Sequence, residues 1–460
     1  MAAPAHRYEI DMCSGSILPK MLRFSIPLMV SGVLQLLFNA ADIVVVGRFA
    51  GDNSLAAVGS NSSIINLLVN VFIGLSVGAN ILAARQYGAG QKEELRKTVH
   101  TAMLLGLISG IFLAVLGACC AGTFLRWMQS PPEVLPLATL YLRIYFLGMP
   151  ATLVYNFGAA LLRAVGDTQR PLYYLFAAGI INVVLNLLFV IVFQMDVAGV
   201  ALATIISQCV SALLVVRCMM RDSGAIHLEL RQLRLHTPHL KQILRVGFPA
   251  GLQGSLFSLS NVFIQSSVNG FGEIAVAGVA ACFSVESFIY TAMNSISQAA
   301  VSFVSQNYGA RRYDRIIPVL WRAMVCVIVV GLTFSGTIMI FRYPILGLYT
   351  SSLPVVEYAI ARLKIDCLPH FLCGMMEIMA GGVRGLGYSV LPMVVNLMGA
   401  CAFRLLWVAT IFQIPAFHTF QMLYVSYPIS WALTLLVHTV CFIWAFRRLK
   451  RRIAAEETEH

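Results

Sequence analysis

Residues 22–39 read LRFSIPLMVSGVLQLLFN, and residues 244–261 read LRVGFPAGLQGSLFSLSN. Leu22, Arg23, Pro27, Gly32 and Asn39 return as Leu244, Arg245, Pro249, Gly254 and Asn261, each 222 residues on. Further along the spacing becomes 221. Tyr87-Gly88-Ala89 returns as Tyr308-Gly309-Ala310, Arg163-Ala164-Val165-Gly166 as Arg384-Gly385-Leu386-Gly387, and Pro171 as Pro392. One residue is therefore gained or lost between the first two helices of a half. A repeat of this length means two similar halves. Pro27 and Pro249 stand near the start of matching helices, where a kink or an early break is expected.

Composition says where those halves reside. Hydrophobic residues make up 59% of the chain and charged residues 11%, against about 25% charged in a soluble domain. So few charges cannot cover a soluble surface of this size, and the apolar surface must face lipid. The net charge of +12 raises nucleic acid as a partner, but no basic domain stands apart from the apolar runs, so none is expected. The eleven cysteines lie almost all inside apolar runs, with no CxxC or Cys/His spacing. They read as free buried thiols. No metal site and no cofactor is implied, and the first twenty residues lack the apolar core of a cleaved signal peptide.

A membrane helix needs about 20 mostly apolar residues. Twelve segments qualify by eye: 21–46, 55–84, 98–120, 135–162, 170–193, 198–218, 243–268, 275–304, 319–341, 354–383, 390–413 and 421–446. No ten-residue alternating strands of a membrane barrel occur. The expected fold is an all-α integral membrane protein with twelve transmembrane helices in two six-helix lobes. Residues 1–20 form an N-terminal segment, 21–218 and 243–446 the lobes, 219–242 a linker and 447–460 a tail. One set of loops holds Arg85, Lys92, Arg163, Arg170, Arg231, Arg311 and Arg315, joined by Arg447 to Arg452 at the end; the opposite set holds only Arg48, Arg126 and Arg342. The positive-inside rule then puts both termini in the cytoplasm of a multi-pass cell-membrane protein. Six spans per half give parallel repeats about an axis along the membrane normal, a transporter plan.

Pro27, Ala41-Asp42, Gly47 and Ala56-Ala57-Val58-Gly59 together resemble the first two helices of the multidrug and toxic compound extrusion (MATE) family. The loops Gln86-Tyr87-Gly88-Ala89 and Gln306-Asn307-Tyr308-Gly309-Ala310 are similar to that family, as are Leu162-Arg163-Ala164-Val165-Gly166-Asp167 and Val383-Arg384-Gly385-Leu386-Gly387. The resemblance covers roughly residues 20–448. It implies secondary active export of drugs or metabolites, driven by H⁺ or Na⁺, in a V-shaped two-lobe fold.

Ionisable groups inside spans are costly and mark function by default. Asp42 lies nineteen residues after Arg23, roughly 28 Å up a helix, on one face with Gln35 and Asn39. Desolvation penalises a carboxylate's charged form, which would let the group exchange protons in the physiological range. The competing reading is a helix-end aspartate in water or paired with Arg48. The resemblance gives the matching aspartate the coupling role of the N-terminal half; the repeat places Ile264 opposite it. A second polar set, Asn182, Asn186 and Thr204, is similar to a group that one branch of the family uses with that aspartate. Here Asn186 stands where an acid would, and an amide can only hydrogen-bond a protonated Asp42 or offer a carbonyl oxygen to a cation. The alternative is polar glue between helices.

Glu286, Tyr290, Asn294 and Gln298 follow at steps of four, a stripe that faces a cavity or a partner helix. Asp366, His370, Glu377 and Arg384 share a face of segment 354–383, with Asp366 expected at the outer water surface, Arg384 at the inner one, and His370 a packing residue. Arg404, mid-span, is expected to pair with Glu377 or Glu286. Gln35, Glu286, Tyr290, Asn294, Glu377 and Arg404 are the candidate substrate-cavity residues. Asp42, Asn39, Asn182, Asn186 and Thr204 are the candidate coupling residues. Segment 243–268 has no acid, so the family's cation site using that helix is expected to be absent or altered, which favours H⁺ over Na⁺.

The resulting expectation is a monomeric antiporter, not an enzyme, that exports amphipathic or cationic small molecules by alternating access across the bilayer. A lipid-linked oligosaccharide flippase of the same superfamily is the first rival, though the intramembrane acids outnumber Arg404. A membrane-embedded enzyme would need a clustered catalytic set, and none occurs.

Overall fold

A computed structural model describes residues 8–128 and 131–458, without the side chains of residues 52, 55, 60, 63, 457 and 458. Residues 1–7 of the N-terminal segment and 459–460 of the tail lie outside it. Helix is the secondary structure of the described residues, with no strand among them. In chain order the helices are α1 (Ile17–Phe49), α2 (Asp52–Gly88), α3 (Lys92–Trp127), α4 (Leu135–Leu147), α5 (Met149–Ala164), α6 (Gln169–Leu187), α7 (Asp196–Arg221) and α8 (Thr237–Asn269). They continue as α9 (Glu273–Gly309), α10 (Ile316–Ile340), α11 (Arg342–Gly347), α12 (Leu353–Asp366), α13 (His370–Gly385), α14 (Val390–Asn396), α15 (Phe403–Ala409) and α16 (Phe420–Thr458).

Among the described residues, nine helices are long and apolar enough to cross a membrane, or ten if α4 and α5, bent by 47° at Gly148, form one span. Twelve were expected, and the two remaining segments show why the count differs. α8 has the length, but Gln253, Ser255, Ser258, Ser260, Asn261 and Gln265 dilute its apolar residues. Segment 354–383 is broken around Pro369 into α12 and α13, of 14 and 16 residues.

The repeat extends to backbone geometry. α1 and α8 have 33 residues each, α2 and α9 37 each, and α5 and α13 16 each. Left-handed residues recur 221 positions apart: Gly51 (φ 83°) with Gly272 (90°), Gly90 (70°) with Arg311 (55°), and Gly166 (94°) with Gly387 (102°). Gly90 and Arg311 follow the Tyr-Gly-Ala motifs, so both copies leave the membrane through the same turn even where glycine is not retained.

The chain forms two compact units: residues 8–12 with 26–251, and residues 13–25 with 252–458. In the first unit, α3 packs on α4 and α5, and α6 on α7. Lipid-embedded helices gain nothing from hiding apolar area, so small residues that allow close van der Waals contact decide which faces meet. Gly106 of α3 lies under the Phe157 ring and Gly110 against the Pro150 backbone, where a Cβ would come within 2.9 and 2.4 Å. A glycine-lined crossing joins α2 to α8. Gly74 and Gly78, four apart, meet Gly247 and Gly251, four apart, backbone to backbone. A Cβ on Gly74 would stand 2.1 Å from the Gly251 nitrogen, and one on Gly78 2.5 Å from the Ile243 carbonyl.

The first unit's loops are also tied down. Asp167 caps α6 by accepting from the Gln169 and Arg170 amides, both at 3.1 Å, and is bonded to the Arg170 guanidinium. Burial pushes this carboxyl up, against the pull of Arg170. Ile10 and Met12 are buried, with the Ile10 backbone against Gly166. In the linker, the Glu229 amide donates to His100 Nε2 at 3.1 Å, and His239 meets Glu94 at 2.9 Å.

In the second unit, α13 packs on α9, α10 and α16, and α12 on α9. Gly374, Gly381 and Gly385 of α13 take the side chains of Val327, Val301 and Val304.

Candidate functional site

The first unit places Asp42 against α6 by a local fit. Phe38, one turn before Asp42, lays its ring on Gly179, where a Cβ would fall 1.8 Å from a ring atom. α1 therefore approaches α6 just where Asn182 and Asn186 follow. Asn186 Nδ2 donates to Asp42 Oδ1 and, at 3.3 Å, to Asn182 Oδ1. Asn182 Nδ2 donates to Thr204 Oγ1 at 3.4 Å, and the Thr204 hydroxyl donates to the Val200 carbonyl at 3.0 Å. The Asn186 amide thus donates both ways, to the Asp42 carboxylate and into a chain that runs through Asn182 and Thr204 to the Val200 carbonyl. Asn182 and Asn186 are buried, and Asp42 is half-buried. Among the described residues no cation pairs with Asp42, so the Arg48 alternative is not realised. Asn186 Oδ1 is buried without a partner. Immediately after Asn186 the helix widens into a π-helical turn, Leu188–Val192, a distortion frequent at functional sites.

Gln35 and Asn39 are exposed and join no hydrogen bond among the described residues. Sequence reading missed Tyr141 and Tyr145 of α4, stacked at 5.9 Å and near enough to feel the Asp42 charge. Their spacing of four was the available signal.

The second unit holds a different cluster. Glu286 of α9 pairs with Arg362 of α12, Oε2 to Nη2 at 2.6 Å. Arg362 Nε reaches Asp366 at 3.4 Å, Nη1 reaches the Val279 carbonyl, and the guanidinium lies 4.7 Å from the Tyr424 ring centroid. All three charged residues are buried. Asp366 is 1% exposed, not at the water surface as expected, because α12 turns it inward beside α9. Arg404 pairs with neither Glu286 nor Glu377. Arg362 already holds Glu286, and Arg404 instead stacks on Tyr427 at 3.8 Å, lies 5.7 Å from Trp431, and donates Nε to Ser430 at 2.9 Å. Cation–π contacts of this kind stabilise a desolvated guanidinium by about 2 kcal/mol.

His370 packs edge-on to Trp431 at 5.1 Å. Glu377 and Asn294 are half-buried, Tyr290 is exposed, and none of the three makes a side-chain hydrogen bond among the described residues. Arg384 Nη2 donates to Gln253 at 2.8 Å. Sequence reading missed Arg362, whose spacing of four from Asp366 was the clue. It also missed the buried pair His438–Asn396, at 2.8 Å, which sits just before the π-helical turn Leu397–Ala402. No group of metal-binding side chains occurs among the described residues.

Comparisons with known proteins agree with this architecture. The MatE family model matches residues 27–188 and 249–408, so it begins at Pro27 and again at Pro249. The chain is 28% identical over 449 residues to the probable multidrug resistance protein YoeA of Bacillus subtilis, covering 95% of this chain and 96% of that one. It is 22% identical to the multidrug export protein MepA of Staphylococcus saprophyticus, covering 96% of each. An outward-facing structure of a multidrug resistance MATE transporter superposes with a TM-score of 0.87 at 23% identity, covering 97% of this chain and 98% of the other.

Proposed function

This chain belongs to the MatE family of multidrug efflux transporters, and from that membership we propose that it exports amphipathic or cationic small molecules in exchange for an inward cation, H⁺ in preference to Na⁺. The observation that carries the coupling is Asp42. It accepts from the neutral Asn186 amide, which also donates on toward Asn182 and Thr204, and it has no cationic partner among the described residues. A carboxylate held by a salt bridge must break that pair to be neutralised. Asp42 has no pair to break.

In the mechanism we infer, a proton reaching Asp42 removes the charge on which the Asn186 amide is oriented. The unpartnered Asn186 carbonyl oxygen then becomes the natural acceptor for the new O–H, after the amide turns over. That reversal runs along Asn182 to Thr204, from α1 through α6 to α7. The π-helical turn after Asn186 supplies backbone that can adjust without breaking a regular helix. Substrate release then follows from a two-state change in how these helices pack, the usual form of alternating access.

We also propose the finer topology: both termini cytoplasmic, with α8 and the α12–α13 pair as the eleventh and twelfth crossings. The chain is read as acting alone. Members of this family are transporters, so the enzyme reading is set aside, and the curated relatives do not favour the flippase. The test is efflux of a fluorescent organic cation from proteoliposomes, with proton and sodium gradients imposed separately. Transport driven by sodium alone would overturn the ion assignment, and full transport by Asp42→Asn would overturn the coupling role.

A further inference from the structure

Away from both clusters, a groove of about 530 Å³ lies on the surface of the second unit, lined by Leu18 from the first turn of α1 and by Ile317, Pro318, Trp321, Arg322 and Val325 of α10. Its walls are apolar and open: Trp321 is 70% exposed, Ile317 52% and Val325 44%. Leu22 extends the α1 wall by one turn and Val329 the α10 wall, and both are exposed. In water such a stripe would be a liability. On a membrane helix it is a bed for an acyl chain.

Arg322 does not fit a purely apolar groove. It lies within a stretch apolar enough to span the membrane, Tyr313–Ile340, where an unpaired arginine is costly. Among the described residues it has no carboxylate partner, and no acid lines the groove. Its Nη1 donates to the Pro318 carbonyl at 3.3 Å, one turn back toward the start of α10. The guanidinium is thereby drawn to the end of the helix where Arg311, Arg312 and Arg315 cluster. A guanidinium has five donors in a planar fork that matches phosphate oxygens, and most of these remain open. Trp321 stands five residues into α10, about 8 Å from its start, the depth at which indoles settle among headgroups.

Donors for a phosphate, an indole at headgroup depth and an apolar bed leading inward are the parts of one phospholipid site. The groove's only charge is positive, so the headgroup it selects is anionic. We propose that this groove binds one anionic phospholipid, with the phosphate on Arg322 and an acyl chain along Leu18, Trp321 and Val325. On the orientation proposed above, this is the cytoplasmic leaflet. The site is independent of the transport mechanism and rests only on the chain being embedded in a membrane.

Native mass spectrometry tests it. The full chain is released from mixed micelles holding equal phosphatidylglycerol and phosphatidylcholine. The wild type should retain one phosphatidylglycerol in roughly fivefold excess over phosphatidylcholine, the effect expected of one arginine near an anionic lipid. Arg322→Gln should lose that excess, and Arg322→Lys should keep part of it. Equal retention of both lipids by the wild type, an unchanged preference in Arg322→Gln, or a lipid-free dimer would each overturn the proposal. Should Arg322→Gln fail to fold, nanodiscs with brominated lipids decide. The tryptophan quenching that disappears in Trp321→Phe should be stronger with brominated phosphatidylglycerol than with brominated phosphatidylcholine, and equal quenching rejects the site.

Discussion

Asp42 is held by Asn186, Asn182 and Thr204, all neutral, whereas Glu286 and Asp366 are held by Arg362, with Arg404 stacked on Tyr427 in the same unit. Counted formally, the first cluster has one carboxylate and no cation. The second has two carboxylates on one guanidinium, Arg362, with Arg404 held apart on Tyr427. The scaffold is duplicated, with matching helix lengths and matching left-handed turns, but the clusters occupy different helices of it: Asp42 lies on α1 and its asparagines on α6, whereas Glu286 lies on α9, the copy of α2, and Arg362 on α12. A proton arriving at Asp42 changes the charge of its cluster and breaks no ion pair. A proton arriving at Glu286 would have to displace the Arg362 guanidinium from its buried 2.6 Å pair. One half is built so that its charge can change, and the other so that it resists change.

The comparison breaks first at Asp42. Asp42→Asn should reduce proton-driven efflux to the baseline of empty vesicles while the purified protein keeps its thermal transition, and a retained gradient response would put the coupling elsewhere. The second test concerns the ion-paired half. Arg362→Met leaves two buried carboxylates facing each other and should cost about 3–5 kcal/mol, read as a large fall in melting temperature. Adding Glu286→Gln should recover part of that loss, and a stable Arg362→Met single variant would show that the pair is not structural. Third, Tyr427→Leu, which removes the face under Arg404, should cost about 2 kcal/mol, again as lost thermal stability. The smallest effect sharpens the neutral half. Thr204→Val removes the acceptor for Asn182 and should cost only about 0.6 kcal/mol, the average of a hydrogen bond between membrane helices. Its larger consequence should be a shift in the pH at which efflux is half-maximal. A pH profile identical to wild type would detach Thr204 from the chain.

Much of the fold was legible because it depends on linear quantities. Apolar run length, loop charge and a repeat spacing of 222 and 221 are all countable, and Pro27 and Pro249 mark the copies by themselves. The count of crossings was less legible, since a broken helix such as α12–α13 and a diluted one such as α8 blur the length rule. Among the candidate residues, the four that became a chain share a simple geometry: Asn182 and Asn186 lie one turn apart on a helix, and Asp42 lies one turn from the Phe38–Gly179 contact. Gln35 and Asn39 share a face with Asp42 yet stay outside the chain, because sharing a face of α1 does not bring a residue to α6. Arg362 was overlooked for the opposite reason. Its partner Glu286 is 76 residues away, and no periodicity within α12 reveals what α9 presents to it. The expected Arg404 pair failed on the same point, since stacking on Tyr427 and Trp431 is a tertiary arrangement that charge counting does not anticipate.

The glycine crossing of α2 and α8 has a consequence for variation in the gene. Gly74, Gly78, Gly247 and Gly251 each abut the opposing main chain, so a Cβ at any of them meets atoms that no rotamer can move aside. Every missense change in a glycine codon adds at least that atom. In a library of all single substitutions these four positions should form four empty columns, two per helix at the same spacing.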